Sequence, residues 1–178
     1  MLYSGKENQH THGVGIILSS TASKALIGWK PINHRSITAR LKTQHARISL
    51  IQVYAPTEAA SDQEKDEFYG QLQDVINETP KHDITLMIGD LNAQISSIRQ
   101  GTTTIGPHGA ASATTNNGDK LIAFCRDNNF IVGNTLFKHK SIHKKTWCSP
   151  NGNTENEIDF ICINKLWRAS LQDVRVYR

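Results

Sequence analysis

The sequence predicts a layered α/β fold, and three observations predict it. A capped, amphipathic helix pattern stands between two apolar strand patterns. The strand before that helix carries apolar side chains on both faces, Ile48 and Leu50 against Ile51 and Val53, as a central strand covered on both sides does. The length, 178 residues, suits one domain over residues 1–178 with a substantial core.

Taken in order, residues 13–18 (GVGIIL) read as a strand and residues 24–29 as its neighbour, with the Ser-rich segment from Ser19 as the turn between them. Residues 37–41 alternate polar and apolar and give a third strand. Residues 46–54 give the central strand, which Pro56 stops. Ser61 with Glu64 three residues later is a capping box, and Asp62 and Glu64 put negative charge where the helix dipole favours it. Phe68, Leu72, Val75 and Ile76 then form an apolar stripe that ends before Pro80. Residues 84–88 are a buried strand. Residues 93–117 read as a long loop, rich in Gly, Thr and Pro, and loops of that length more often carry function than not. A second helix is expected over residues 118–128, burying Leu121, Phe124 and Cys125. Strands are expected over residues 131–137 and 157–163, and again over residues 171–178, where alternation is clean and runs to the last residue, as in an interrupted domain.

Composition narrows the class of function. No apolar stretch approaches the roughly 18 residues of a membrane span, and the first residues show no signal-peptide pattern, so no membrane partner is expected. Cys125, Cys148 and Cys162 are odd in number and lack CxxC spacing, which suits free thiols in a reducing, intracellular setting and argues against zinc. Net charge is +4, which favours an anionic partner. The charge is concentrated in residues 138–145 (KHKSIHKK), followed at once by Thr146 and Trp147. Lys140, Lys144 and Lys145 beside Trp147 could track a phosphate backbone and stack a base, or could form a solvated loop that keeps the chain soluble.

The chemistry-bearing block is residues 84–92 (ITLMIGDLN), an apolar strand that ends on a glycine and releases Asp90 and Asn92. On extended backbone, side chains two apart face the same way, so the pair should meet at one spot. An acid beside an amide suits a divalent cation together with a phosphate; a polar turn after a buried strand is the plainer alternative. Tyr54 stands at a strand end just before Pro56, and Asp159 lies inside an apolar strand, where an unpaired carboxylate is costly. Asp159 therefore needs a histidine, a metal or a set of donors, or it merely holds a loop.

In this order, these segments (YAPT at 54–57, GDLN at 89–92, IHK with TW at 142–147, ENEID at 155–159, SLQDVR at 170–175) resemble the endonuclease/exonuclease/phosphatase superfamily. Within it they are most similar to the endonuclease domains of LINE-type retrotransposons and the craniofacial development protein 2 group, over nearly the whole chain from about Tyr3. The resemblance implies a DNase I-like four-layer α/β sandwich, two mixed β-sheets flanked by helices, and Mg²⁺-dependent (or Mn²⁺-dependent) hydrolysis of DNA phosphodiesters, with nuclear action. By position it implies that Asp90 orients or activates the attacking water and binds metal. Asn92 holds a phosphate oxygen or the metal, Tyr54 donates to the scissile phosphate, Asp159 orients a catalytic histidine, and Trp147 lies on the substrate side.

The same resemblance implies an incomplete sandwich. Its early strands, with an asparagine and a metal-binding glutamate, and its closing Ser-Asp-His block have no counterparts. Glu7 lies in a polar segment and is no replacement, and none of the eight histidines follows Asp159. The expectation is therefore weak or absent turnover, weak Mg²⁺ binding, and self-association through exposed strand edges. The alternative is a non-catalytic fragment, either a nucleic-acid-binding or protein-interaction module or an inert remnant.

Overall fold

The computed structural model describes residues 1–5, 12–98 and 102–177. The strands are β1 (Leu2–Gly5), β2 (Gly13–Ile16), β3 (Leu26–Asn33), β4 (Ser36–Lys42), β5 (Arg47–Tyr54), β6 (Ile84–Asp90), β7 (Phe130–Val132), β8 (Trp147–Cys148), β9 (Glu155–Asn156) and β10 (Asp159–Asn164). The helices are α1 (Ser20–Lys24), α2 (Asp62–Glu78) and α3 (Asn116–Asp127). Six strands form one mixed sheet in the order β3-β4-β5-β6-β10-β7, while β1-β2 and β8-β9 are separate two-stranded ladders. Among the pairs of the six-stranded sheet, only β5 and β6 run parallel. A parallel pair needs a crossover, and α2 supplies it.

The side chains explain the layers. Ser61 caps α2 by accepting the Glu64 N–H at 3.2 Å, while the Glu64 carboxylate, instead of closing the box, takes Arg35 at 2.7 Å. Phe68, Leu72 and Val75 of α2 join Leu121, Phe124 and Cys125 of α3 against Ile51, Val53, Met87, Phe160 and Cys162 of the sheet. A second cluster, on the other face, joins Val14 and Ile16 of the β1-β2 hairpin to Ile37 and Ala39, with Leu50 and Tyr54 packed at its margin. The two-faced strand expected at residues 46–54 is thus β5, with helices on one side and the hairpin on the other. A mixed sheet with helices on one face and a second, smaller ladder on the other matches the expected class. At the edge, β3 exposes Ile27 and Trp29, but Lys30 and Pro31 interrupt it, features that discourage strand addition.

Four expectations change. The segment after Ser19 is a helical turn, capped by the Ser19 hydroxyl accepting the Ala22 N–H, rather than a hairpin turn. Consequently β2 pairs with β1 and not with β3. The strand expected over residues 131–137 stops at Val132, because Gly133–Thr135 winds into a 3₁₀ turn whose Thr135 hydroxyl donates back to the Val132 carbonyl. Residues 171–177 join no ladder among the described residues. They are tied instead by side chains and by backbone links from the Leu171 N–H to the Arg168 carbonyl and from the Val176 N–H to the His143 carbonyl. Glu7 lies outside the described residues.

Candidate active site

Register assembles the site. Tyr54 pairs with Asp90 across the parallel β5-β6 ladder, and Asp159 pairs with Asp90 across the antiparallel β6-β10 ladder. Residues in register on neighbouring strands project to the same face of a sheet. Tyr54, Asp90 and Asp159 therefore stand in one row across three strands, at the end where the sheet opens into loops.

Gly89 is what allows Asp90 to sit there. Its φ is +135°, and a Cβ at that position would lie 2.0 Å from the Val53 carbonyl oxygen. The sheet then ends, and Asn92 adopts φ +46°. The period-two argument therefore fails at Asn92, since the backbone is no longer extended. A turn brings the two residues together instead: the Asn92 N–H donates to Asp90 Oδ1 at 2.8 Å, and Asn92 Nδ2 donates to the Ala55 carbonyl at 2.9 Å. Asn and Asp tolerate such left-handed backbone better than most residues do.

The electrostatics follow from the row. Burial pushes the Asp90 carboxyl up to about 6, and the neighbouring Asp159 charge adds to that, while the Asn92 N–H opposes it. Two carboxylates side by side, one of them held back from ionising, form a place where a cation or a proton is welcome. Tyr54 lies on the other flank. The Arg35 guanidinium sits 5.4 Å from its ring centroid and donates to its carbonyl, and the His12 ring is 5.8 Å away. Arg35 was not anticipated, because nothing in its local sequence pattern marks it.

The approach to Asp159 is set by Thr146, whose hydroxyl accepts the N–H groups of Ile158 at 3.0 Å and Asp159 at 3.2 Å. Trp147, the next residue, is 40% exposed in the short β8-β9 ladder. The basic run divides in two. Lys140 is exposed and Lys145 half-buried. Lys144, expected to contact substrate, is only 7% exposed. Its ammonium donates to the carbonyls of His108 and Asn134 and lies near buried Glu157. Burial lowers the Lys144 pKa and raises that of Glu157, each countered by the other's charge. Lys144 is thus a structural cation, drawn inward by the carbonyls of His108 and Asn134.

Asp90, Asp159 and the Asn92 amide oxygen are hard oxygen donors, the type Mg²⁺ takes. Among the described residues, however, no group of three or more acidic, histidine or cysteine side chains is placed to hold a metal. The donor chemistry fits a cation in kind, with remaining positions left to water or phosphate.

The structural neighbours show the fold. The 3′ phosphatase NExo from Neisseria, bound to product DNA hairpin, superposes with a TM-score of 0.56 over 83% of this chain and 62% of that one, at 16% identity. The endonuclease domain of TRAS1, a telomere-specific non-LTR retrotransposon, superposes with a TM-score of 0.51 over 75% of this chain and 52% of that one, at 13% identity. The chain has the endonuclease/exonuclease/phosphatase fold. In sequence it is similar to craniofacial development protein 2 of Bos taurus, at 35% identity over 173 residues. The match takes in 97% of this chain and 29% of the relative's length. No protein-family model matches the chain. No helix among the described residues is long and apolar enough to cross a membrane.

Proposed function

We propose that this chain carries part of a DNA phosphodiesterase centre, with the Tyr54–Asp90–Asp159 row as its reacting edge. The observation that supports this reading is the register itself, which sets a phenol and two carboxylates side by side on adjacent strands. Asp90, half-buried and titrating near neutrality, takes the proton of an attacking water. The Tyr54 hydroxyl donates to a phosphoryl oxygen, and Asn92 fixes the Asp90 carboxylate through its backbone N–H. A divalent cation held by Asp90 with the Asn92 oxygen would neutralise charge that develops on the phosphate. Lys140 and Lys145 supply sequence-independent contacts to the DNA backbone, and Trp147 offers a stacking face.

A nicking assay on supercoiled plasmid with Mg²⁺, run beside Asp90→Ala, tests the reading. At most weak cutting is expected in the wild type, and none in the variant. Equal behaviour of the two proteins would overturn it. The short donor set favours a second reading, a DNA-binding module without turnover. That reading predicts salt-sensitive DNA binding, with no cutting at any Mg²⁺ concentration.

A further inference from the structure

We propose that Asn117 is a positioning residue that locks the Tyr54 strand end to the Asp90–Asn92 turn; the proposal rests on the phosphodiesterase reading of that row. Asn117 lies in the first turn of α3 and is 2% exposed. Its amide Nδ2 donates to the Pro56 carbonyl and to the Asn92 carbonyl, each at 3.0 Å. One side chain thus ties both loops that leave the reacting edge. Asn92 closes the circuit by donating its own amide to Ala55, so the two loops are cross-linked twice.

The rest of α3's first turn holds Asn117 in place. The Glu58 carboxylate accepts the Asn116 and Asn117 N–H groups, each at 3.1 Å, filling the positive end of the helix. The Thr115 hydroxyl accepts from Gly118 and from Gln94. A Cβ at Gly118 would come within 2.3 Å of the Gln94 carbonyl oxygen, so the helix start lies directly on the loop after Asn92. Both Nδ2 protons are committed, one to the carbonyl of buried Pro56 and one to that of half-buried Asn92. Losing the amide therefore leaves both loops without their shared anchor, while α3 keeps its Glu58 and Thr115 caps.

Asn117→Ala, Asn117→Ser and the neighbouring control Asn116→Ala test this in the full chain. Amide hydrogen exchange is measured by NMR alongside plasmid nicking. Asn117→Ala should speed exchange of the Asn92 N–H about tenfold or more, leave the amides of α3 beyond its first turn unchanged, and lower the nicking rate by a similar factor. Asn117→Ser, which keeps one donor, should fall between, and it carries the test if the alanine variant does not fold. Asn116→Ala should change neither readout. Unchanged exchange at Asn92 in a folded variant would overturn the proposal, and so would exchange rising equally throughout α3, the mark of a merely structural role. A wild type that does not nick DNA would remove the phosphodiesterase reading, and the exchange measurement alone would then decide the clamp.

Discussion

The reacting edge and the basic segment are built in opposite ways. At the reacting edge, backbone register does the placing. Tyr54, Asp90 and Asp159 are aligned by two ladders, and the loops beyond them are tied by Asn92 and Asn117. The basic segment, residues 138–148 with residues 171–177, has little ladder of its own. It is held by a 3₁₀ turn at Ser141–His143, by the inward Lys144, by the His139–Asp173 hydrogen bond at 2.6 Å, and by His143 Nδ1 against the Val176 carbonyl at 3.1 Å. The lesson is that charge plays opposite parts in the two regions. Charge at the edge is left crowded for a ligand, whereas much of the charge in the basic segment is consumed by the protein's own carbonyls and carboxylates.

Breaking the buried lysine should have the largest effect. Lys144→Met removes a donor from two carbonyls and leaves buried Glu157 with only Lys145 as a nearby cation, and should cost about 2–4 kcal/mol in urea unfolding. A stable, unchanged variant would place Lys144 with the solvated lysines after all. Next comes Asp90→Asn, which should stabilise the fold. The native carboxyl titrates near 6 against an ordinary 3.8, so the folded state binds more protons than the unfolded one between those values. Stability therefore falls as pH rises through that window. The variant escapes the loss and should gain on the order of 1 kcal/mol at pH 7.5, with the gain gone at pH 3. A destabilised variant at neutral pH would mean that the crowding of Asp90 and Asp159 is already relieved.

Lys140→Ala sharpens the contrast from the other side. It should leave unfolding within about 0.5 kcal/mol of wild type. It should weaken binding to every DNA sequence alike and reduce the slope of log affinity against log salt by about one. Fluorescence anisotropy over a salt series checks this, and a sequence-dependent loss would contradict it. Asp173→Asn should do least. Hydrogen bonding to His139 lowers the Asp173 pKa, so its contribution is present above the ordinary value and disappears as pH falls through the lowered one. Because the pair is at the surface, melting should hardly move, and only exchange of the Val176 amide should quicken.

Much of this was legible in the sequence, and the rest failed for identifiable reasons. The start of α2 was readable because Ser61 and Glu64 are a local signal, and β6 because its apolar run ends on Gly89 and Asp90. The start of α3 at Asn116, two residues earlier than expected, depends on Glu58, which lies far away along the chain. The site's chemical residues were readable as a motif set, but the way Asn92 meets Asp90 was not, since that takes a left-handed turn rather than an extended pair. Lys144 gave no sign of burial, because a lysine among lysines looks solvated until its acceptors, supplied by His108 and Asn134, are known. Asn117 was invisible for the same reason: both of its partners are carbonyls, which leave no trace in side-chain patterns.

The left-handed Asn92 separates two demands that mutagenesis usually confounds. Its φ of +46° is a shape that glycine adopts freely and alanine resists. A glycine there keeps the bend and the backbone N–H that reaches Asp90, and deletes only the side-chain amide. An alanine deletes the amide and also strains the bend, by about 1–2 kcal/mol. Any difference between the two variants measures geometry, and whatever they share measures chemistry. One residue thus offers a ruler for how much of this turn exists to be bent and how much exists to bind.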